Sequence, residues 1–318
     1  MERDLEVITI GETMGLLHSL HPGRLDLAHA VGVSIGGAES NTAIGLARLG
    51  VAAAWLGRVG ADAFGERILR TLRAESVDVV EIIDAHAPTG LMVKERRSST
   101  QTSVSYYRSG SAGSRLTPGD IPAGIIENAR VLHVTGITPA LSGDAKEAIF
   151  AAIRRARAAG VRVSFDVNHR SRLWDAGLAR PVYRELIASS DIVFAGVEEA
   201  ALALDTSETS ALLLAHGLAA LGPSEVIIKR GAEGADAHID GNAFHVDAVP
   251  VDVIDTVGAG DAFVAGYLAE RVRAASPESC LRMGASAGAC ACTAAGDWES
   301  LPTREDVASL TRTDPVAR

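Results

Sequence analysis

The segment DTVGAGDAFVAGY, Asp255–Tyr267, is the most informative part of this 318-residue chain. It follows a β-rich run, Phe244–Ile254, and opens a predicted apolar helix, Asp261–Val272. Glycines between a strand and a helix allow a tight turn and a close approach of the backbone to a ligand. The segment therefore predicts a helix whose N-terminus faces a ligand.

The residues Gly258, Ala259 and Gly260, here called the glycine loop, leave the backbone unobstructed at the start of this helix. The first N–H groups of a helix have no partner within it, so they bind anions, phosphate above all. Asp261 falls in the first turn, where a carboxylate can also be an ordinary helix cap. The residues alone predict an anion site and leave the role of Asp261 open.

Short β-rich runs alternate with Ala-rich helical runs through the rest of the chain, which predicts a mostly parallel sheet with helices on both faces. The predicted strands are Val7–Ile10, Ala52–Leu56, Val131–Val134, Val161–Phe165, Ile192–Phe194 and Val226–Lys229. The clearest predicted helices are Asn41–Leu49, Ala61–Ala74 and Asp144–Ala159.

Two segments, Leu16–Ile35 and Thr89–Ser111, interrupt this alternation. The first has no helical period, and the second alternates β-type residues. Both read as antiparallel pieces outside the main sheet. We therefore expect one α/β domain over residues 1–318, with a small β-sheet lid from about 12–35 and 89–111.

Composition narrows the class of protein. The chain is 47% hydrophobic with a formal net charge of −10, which excludes general disorder and argues against a nucleic-acid partner. The acidic start MERDLEVITIGE does not resemble an export signal, and no apolar run is long enough to span a bilayer. Three cysteines fit neither a disulfide framework nor a zinc site. We expect a cytoplasmic protein with no membrane partner.

Three segments together resemble the ribokinase-like (PfkB) carbohydrate kinases. DTVGAGDAF is similar to the second signature of that family, and GGAESNTAIGLARLG, Gly36–Gly50, is similar to the first. IIKRGAEGA, Ile227–Ala235, resembles the strand and glycine turn on the nucleotide side. The chain has neither a P-loop nor a dinucleotide fingerprint. The resemblance implies a ribokinase-like α/β fold and phosphoryl transfer from Mg-ATP to a sugar.

The resemblance also implies roles for individual residues. Asp261 would be the general base that takes the proton from the sugar hydroxyl, and the amides of the glycine loop would hold the phosphoryl charge. Lys229, Gly231 and Gly234 would lie at the nucleotide, together with Gly258 and Gly260.

Cation sites follow from the same resemblance. Glu199 would organise magnesium-bound water, although Gly196 stands where the family usually has Asn. Asp255 and Thr256 lie where some members bind a monovalent cation.

The sugar-binding segments resemble those of 2-keto-3-deoxygluconate kinases. These segments are VSYYRSGSAGSRL, Val104–Leu116, and FDVNHRSRLW, Phe165–Trp174. An arginine beside an aromatic ring suits a sugar acid, because its guanidinium grips a carboxylate with two hydrogen bonds. The residues expected at the sugar acid are Gly36, Gly37, Asn41, Tyr106, Arg108 and Arg170.

Met92 departs from this pattern, since these kinases often have an aromatic residue there. The galactonate epimer and neutral ketohexoses, as for a fructokinase-like enzyme, therefore remain alternatives. A catalytically silent sugar-sensing protein is a further alternative, against which Asp261 and the glycine loop argue. The exposed strands of the lid would need a cover, which predicts a homo-oligomer through the lid.

Overall fold

The computed structural model describes residues 5–98 and 101–310. The acidic residues at the extreme N-terminus, two residues of the second lid segment and the last eight residues lie outside this part. The strands are Leu5–Ile10 (β1), Met14–His18 (β2), Gly32–Gly36 (β3), Ala53–Gly60 (β4), Asp78–Asp84 (β5), Leu91–Arg96 (β6), Thr102–Tyr107 (β7), Ala129–Thr135 (β8), Arg162–Asp166 (β9), Ile192–Gly196 (β10), Glu225–Lys229 (β11), Ala235–Ile239 (β12) and Asn242–Val246 (β13). The helices are Ala38–Arg48 (α1), Ala63–Ala74 (α2), Gly143–Ala158 (α3), Ala176–Ala188 (α4), Val197–Leu204 (α5), Ala211–Ala219 (α6), Ala259–Arg271 (α7), Pro277–Ala291 (α8) and Arg304–Ser309 (α9).

The main sheet follows the order β13-β12-β11-β10-β9-β8-β1-β4-β5 within the described residues. The seven strands β11, β10, β9, β8, β1, β4 and β5 pair in parallel with one another. Strands β12 and β13 add antiparallel pairs at the β11 edge. Alternate residues of β1 face opposite sides: Ile8 packs in the cluster that contains Ile149 of α3, and Val7 packs with Leu268 of α7. Both faces are thus buried by helices, which confirms the predicted fold class.

The lid is a second sheet with the order β3-β2-β6-β7. Each predicted lid segment forms an antiparallel pair, and β2 joins the two pairs by running parallel to β6. Its inner side carries a small apolar cluster of Met14, Leu16 and Met92. The expectation of a β-sheet lid is therefore confirmed.

The approach to the glycine loop differs from the sequence prediction. The β-rich run predicted to end at Ile254 forms a strand only to Val246, and residues 247–258 have neither helix nor strand. Pro250 lies in this segment and has no N–H to give to a ladder. Helix α7 begins at Ala259, two residues before the predicted start. The long irregular connection carries the glycine loop over the end of the sheet.

No helix in the ranges that the structure describes is long and apolar enough to cross a membrane.

Candidate active site

A cleft of about 440 Å³ lies between the lid and the carboxyl ends of the main-sheet strands. In an open α/β sheet this edge is the usual place for a ligand, because loops after several parallel strands meet there. The cleft brings together residues from the lid, from the ends of β9, β10 and β11, and from the start of α7. Its lining includes Met92, Lys94, Tyr106, Asn168, Arg170, Glu199, Lys229, Gly258, Gly260, Asp261 and Asp297. It continues beneath the lid to Glu12, Gly37, Asn41 and Arg108.

Asp261 occupies the first turn of α7 and faces this cleft. Its Oδ2 accepts a hydrogen bond of 2.9 Å from Nδ2 of Asn41, and its Oδ1 lies 3.5 Å from Nδ2 of Asn168. Burial raises the pKa of Asp261 to about 7, although the Asn41 hydrogen bond and the charges of Arg170 and Lys229 oppose the rise. A carboxylate with this pKa can accept a proton at neutral pH.

Asn41 projects from α1 and is almost fully buried. Its Nδ2 is used by Asp261, but its Oδ1 has no hydrogen-bond partner among the described residues. A buried amide oxygen without a partner is unfavourable unless a ligand or water supplies a donor. A ligand hydroxyl next to Asp261 would be such a donor.

Gly258 and Gly260 serve different purposes. Gly258 has a φ of +79° and a Cβ there would lie 2.2 Å from the carbonyl oxygen of Asp297, so only glycine fits. Gly260 has no left-handed torsion, and a Cβ would meet only Nζ of Lys229 at 3.5 Å. Gly258 therefore shapes the turn, while Gly260 keeps the cleft open.

The amides of the loop are not equivalent. The N–H of Ala259 donates to the carbonyl oxygen of Thr256 at 3.3 Å. Within the described residues, the N–H groups of Gly258, Gly260 and Asp261 have no backbone acceptor and could bind an anion, whereas that of Ala259 is engaged.

Lys229 ends β11 and points its ammonium at the carboxylate of Asp166, with distances of 2.9 and 2.8 Å to the two oxygens. Burial alone would lower the pKa of Lys229, but the hydrogen bond to Asp166 and the charges of Asp166, Glu199 and Asp261 together outweigh burial, so the pKa is raised. Lys229 lies in the cleft as the sequence suggested. Gly231 and Gly234 are absent from the described cleft lining, and Gly234 packs against the carbonyl oxygen of Val246 in the turn before β12.

Glu199 lines the cleft and also caps α5. Its Oε2 accepts from the N–H of Gly196 at 2.7 Å, and its Oε1 accepts from the N–H of His169 at 2.8 Å. Gly196 thus takes the backbone position of the cap where an Asn was expected. The described residues contain no cluster of three or more metal-ligating side chains. Glu198 and Glu199 could contact a Mg²⁺ ion that phosphate and water hold, which is the usual arrangement for this ion.

Arg108 and Arg170 stand in contrasting surroundings. Arg108 is buried and pairs with Glu12 through Nη2 at 2.5 Å and Nε at 2.7 Å. Arg170 is exposed in the cleft, and within the described part of the chain its guanidinium makes only a long hydrogen bond of 3.4 Å to the carbonyl oxygen of His169. Arg170 is therefore the cation that remains available to a ligand carboxylate.

The other expected sugar contacts lie at the lid. Tyr106 of β7 stands opposite Met92 of β6, and both line the cleft. A Cβ on Gly36 would lie 2.2 Å from Cε of Met92, and one on Gly37 would lie 2.5 Å from the carbonyl oxygen of Glu12. These glycines allow the strand β3 and helix α1 to pass close to the cleft.

Four charged residues that line the described cleft were not identified from the sequence: Glu12, Glu39, Lys94 and Asp297. Glu12 follows β1, so its position after a buried strand was a usable signal. Asp297 lies in an irregular segment after α8 and has no local pattern. Lys94 reads as an ordinary strand residue.

Comparison with known proteins gives consistent matches. The profile of the pfkB family carbohydrate kinases matches residues 4–304. A 2-dehydro-3-deoxygluconokinase from Bacillus subtilis is 37% identical over 310 residues, which covers 96% of this chain and 95% of the relative. A fructokinase from Klebsiella pneumoniae is 35% identical over 283 residues, which covers 86% and 90%.

Solved structures of a PfkB protein and of a fructokinase have the same fold as this chain. A PfkB protein from Polaromonas sp. JS666 superposes with a TM-score of 0.87 at 36% identity, covering 96% of this chain and 99% of that one. A double-mutant fructokinase from Vibrio cholerae O395, crystallised with fructose, ADP and a potassium ion, gives 0.85 at 26% identity, covering 98% and 100%.

Proposed function

Because the chain belongs to the PfkB family of carbohydrate kinases, we propose that it transfers the γ-phosphoryl group of ATP to 2-keto-3-deoxygluconate, giving the 6-phosphate. The observation that carries this choice is Arg170, an available guanidinium in the same cleft as Asp261. A sugar acid offers the carboxylate that such a cation binds. The 37% identical 2-dehydro-3-deoxygluconokinase supports the same substrate.

In the proposed reaction, the carboxylate of Asp261 takes the proton from the attacking hydroxyl. A bond forms between that oxygen and the γ-phosphorus, the bond to the β,γ-bridging oxygen breaks, and ADP leaves. The open amides at Gly258, Gly260 and Asp261 hold the phosphoryl charge during transfer. Mg²⁺, bound with the triphosphate, would supply further charge neutralisation, and Glu198 and Glu199 would hold its water.

A neutral ketohexose is the second candidate, and Met92 favours it. Met92 has no hydroxyl to donate to a sugar acid, and a fructokinase is among the relatives at 35% identity. The galactonate epimer of the sugar acid presents the same carboxylate to Arg170. An assay of ADP release with 2-keto-3-deoxygluconate, its galactonate epimer and fructose distinguishes the three. Greater kcat/KM for fructose would refute the sugar acid, and no turnover with any of them would favour a sugar-sensing protein.

We also propose that two copies pair through their lids. The strands β3 and β7 are the edges of the lid sheet, and Val33 and Tyr107 on these strands are exposed. Edges and apolar side chains of this kind are normally covered in a folded protein.

Replacing Arg170 by Ala should raise KM for the sugar acid by about ten- to a hundredfold, since a charge-assisted hydrogen bond contributes about 1.5–3 kcal/mol. KM for fructose, if fructose is used, should change by less than about threefold, because it has no charge for the guanidinium. Steady-state kinetics of the variant with both compounds makes the measurement. Equal losses for acid and neutral sugar would show that Arg170 does not bind the carboxylate.

Two other arginine variants serve as comparisons for Arg170→Ala. Arg154→Ala removes an exposed arginine of α3 and should leave KM unchanged. Arg108→Ala leaves the buried Glu12 carboxylate without its cationic partner, so it should also lower the melting temperature. Loss of acid binding in Arg108→Ala is therefore interpretable only beside its melting curve.

The pH dependence should report Asp261. The base acts only when it is deprotonated, so kcat/KM should fall about tenfold per pH unit below its pKa and level off above about pH 7. Because the charge of Arg170 lowers the pKa of Asp261, Arg170→Ala should move this limb to higher pH. Profiles from pH 5 to 9 test both statements. A limb near the ordinary carboxyl pKa would contradict the assignment.

A further inference from the structure

Lys94 joins the lid to the segment that carries the glycine loop. It projects from β6, and its Nζ lies 2.6 Å from Oδ2 of Asp255 and 3.5 Å from Oδ1 of Asp297. Only 9% of the Lys94 side chain is exposed. One nearly buried ammonium therefore holds two carboxylates that are far apart in the sequence.

Both acidic residues contact the chain at the start of the glycine loop. Oδ1 of Asp255 accepts from the N–H of Val257 at 3.2 Å. The carbonyl oxygen of Asp297 packs directly against Gly258, whose Cβ would meet it at 2.2 Å. The adjoining backbone is held as well, since the N–H of Ile254 donates to the backbone carbonyl oxygen of Cys292 at 2.8 Å. The ammonium of Lys94 thus holds the glycine loop through Asp255, which precedes the loop in the chain, and through Asp297, which packs against it.

The electrostatics require a cation here. Burial raises the pKa of Asp297 to about 6, Lys94 opposes this rise, and the charges of Glu299 and Asp255 add to it. Without the ammonium, the buried carboxylate of Asp297 and the half-buried carboxylate of Asp255 would repel each other. Such a pair is stable only with a counter-charge or a proton.

The chain uses lysine sparingly. Among its 30 Lys and Arg residues only three are lysines, Lys94, Lys146 and Lys229, and two of these lie in the cleft. An ammonium is a compact, strongly hydrated point charge, whereas a guanidinium is planar and broad. The sequence thus places a compact, ion-like charge at two points in the cleft, and each of these ammonium groups lies beside a carboxylate.

We propose that Lys94 is a positioning residue. Its ammonium, which is covalently attached to the lid, takes the place of a bound monovalent cation beside the glycine loop. The proposal rests on the proposed kinase function. Asp255 was expected to lie near a monovalent cation, but its carboxylate is already paired with Lys94, so the residues present do not fit a second, separate ion. Phosphoryl transfer by this protein is then independent of added potassium.

The first test compares the unaltered protein in potassium and in tetramethylammonium buffers, the second cation being too large for a buried site. We expect kcat, and the Kd for ADP measured by calorimetry, to differ by less than about twofold between the buffers, since no free ion completes the site. A requirement for potassium in either measurement would overturn the proposal.

The second test removes the tethered charge. Lys94→Ala should lower kcat and weaken ADP binding by about ten- to a hundredfold in tetramethylammonium buffer, the range for one charge-assisted contact. Potassium or n-propylammonium, which replaces the missing end of the side chain, should restore at least part of both. Lys146→Ala, on α3, is the matched control and should show neither effect.

Each outcome is decisive. Full activity of Lys94→Ala in every buffer would overturn the proposal, as would a loss that no small cation restores. If Lys94→Ala does not fold, Lys94→Met keeps the apolar stem and permits the same potassium test. Calorimetry with ADP needs no sugar, so it decides the role of Lys94 even if none of the sugars is phosphorylated and the proposed function fails.

Discussion

Replacing Asp261 by Asn should lower kcat by about 10²–10⁴, the usual contribution of a general base. The substitution preserves size, and the new amide oxygen can still accept the hydrogen bond from Nδ2 of Asn41. What it removes is the ability to take the hydroxyl proton. Steady-state and single-turnover kinetics at pH 8 would measure the loss, and near-normal kcat would refute the assignment of Asp261.

The melting temperature of Asp261→Asn shows whether a loss of kcat comes from lost base catalysis or from misfolding. The pKa of Asp261 is about 7 in the fold, above the ordinary value of about 4 in an unfolded chain. The folded state therefore binds this proton more tightly, and the associated stability is lost as pH rises from about 4 to 7. At pH 8 Asn carries no such charge, so Asp261→Asn should melt no lower than the unaltered protein.

Asp144 offers a matched control for this variant. Like Asp261 in α7, Asp144 lies in the first turn of its helix, α3, but its side chain is exposed. Asp144→Asn should leave kcat and the melting temperature almost unchanged. A large loss of activity in both variants would point to a general effect of helix-terminal charge instead of base catalysis.

Most of the fold could be predicted because its signals are local. The run VITI at Val7–Ile10 is buried on both faces and falls in β1, as continuous β-branched residues predict. The helix predicted at Asp144–Ala159 is found at Gly143–Ala158, where Ser142 caps its start through the N–H of Ala145. The irregular chain after Val246 was missed, because Val and Ile favour strands but cannot supply a partner strand.

The site was only partly predictable, because its charges find partners far along the chain. The glycine loop and Asp261 form one short segment and could be recognised together. Lys94 and Asp255 are 161 residues apart, and Arg108 and Glu12 are 96 residues apart. Sequence patterns cannot show which cation already has a counter-ion, so Arg108 and Arg170 looked alike until the structure separated them.

Replacing Gly260 by Val should reduce ATP-dependent turnover by at least about 10², the cost of losing one well-placed donor to the transferring group. The backbone of Gly260 tolerates a side chain, and a Cβ there would meet only Nζ of Lys229 at 3.5 Å. The branched side chain would instead project into the cleft, where phosphate must reach the amides of Gly260 and Asp261. Sugar binding, measured by calorimetry without nucleotide, should persist.

Gly258→Val should lose folding stability as well as activity, so it distinguishes a structural glycine from one that keeps the cleft open to phosphate. Its φ of +79° is strained for a β-branched residue, and its Cβ would lie 2.2 Å from the carbonyl oxygen of Asp297. This variant should lose thermal stability together with activity, whereas Gly260→Val should melt within a few degrees of the unaltered protein. If Gly260→Val instead lost sugar binding and cooperative melting, Gly260 would be a structural glycine like Gly258. If it kept full turnover, the phosphoryl group would not approach the backbone at this point, and the glycine loop would be a turn without a catalytic role.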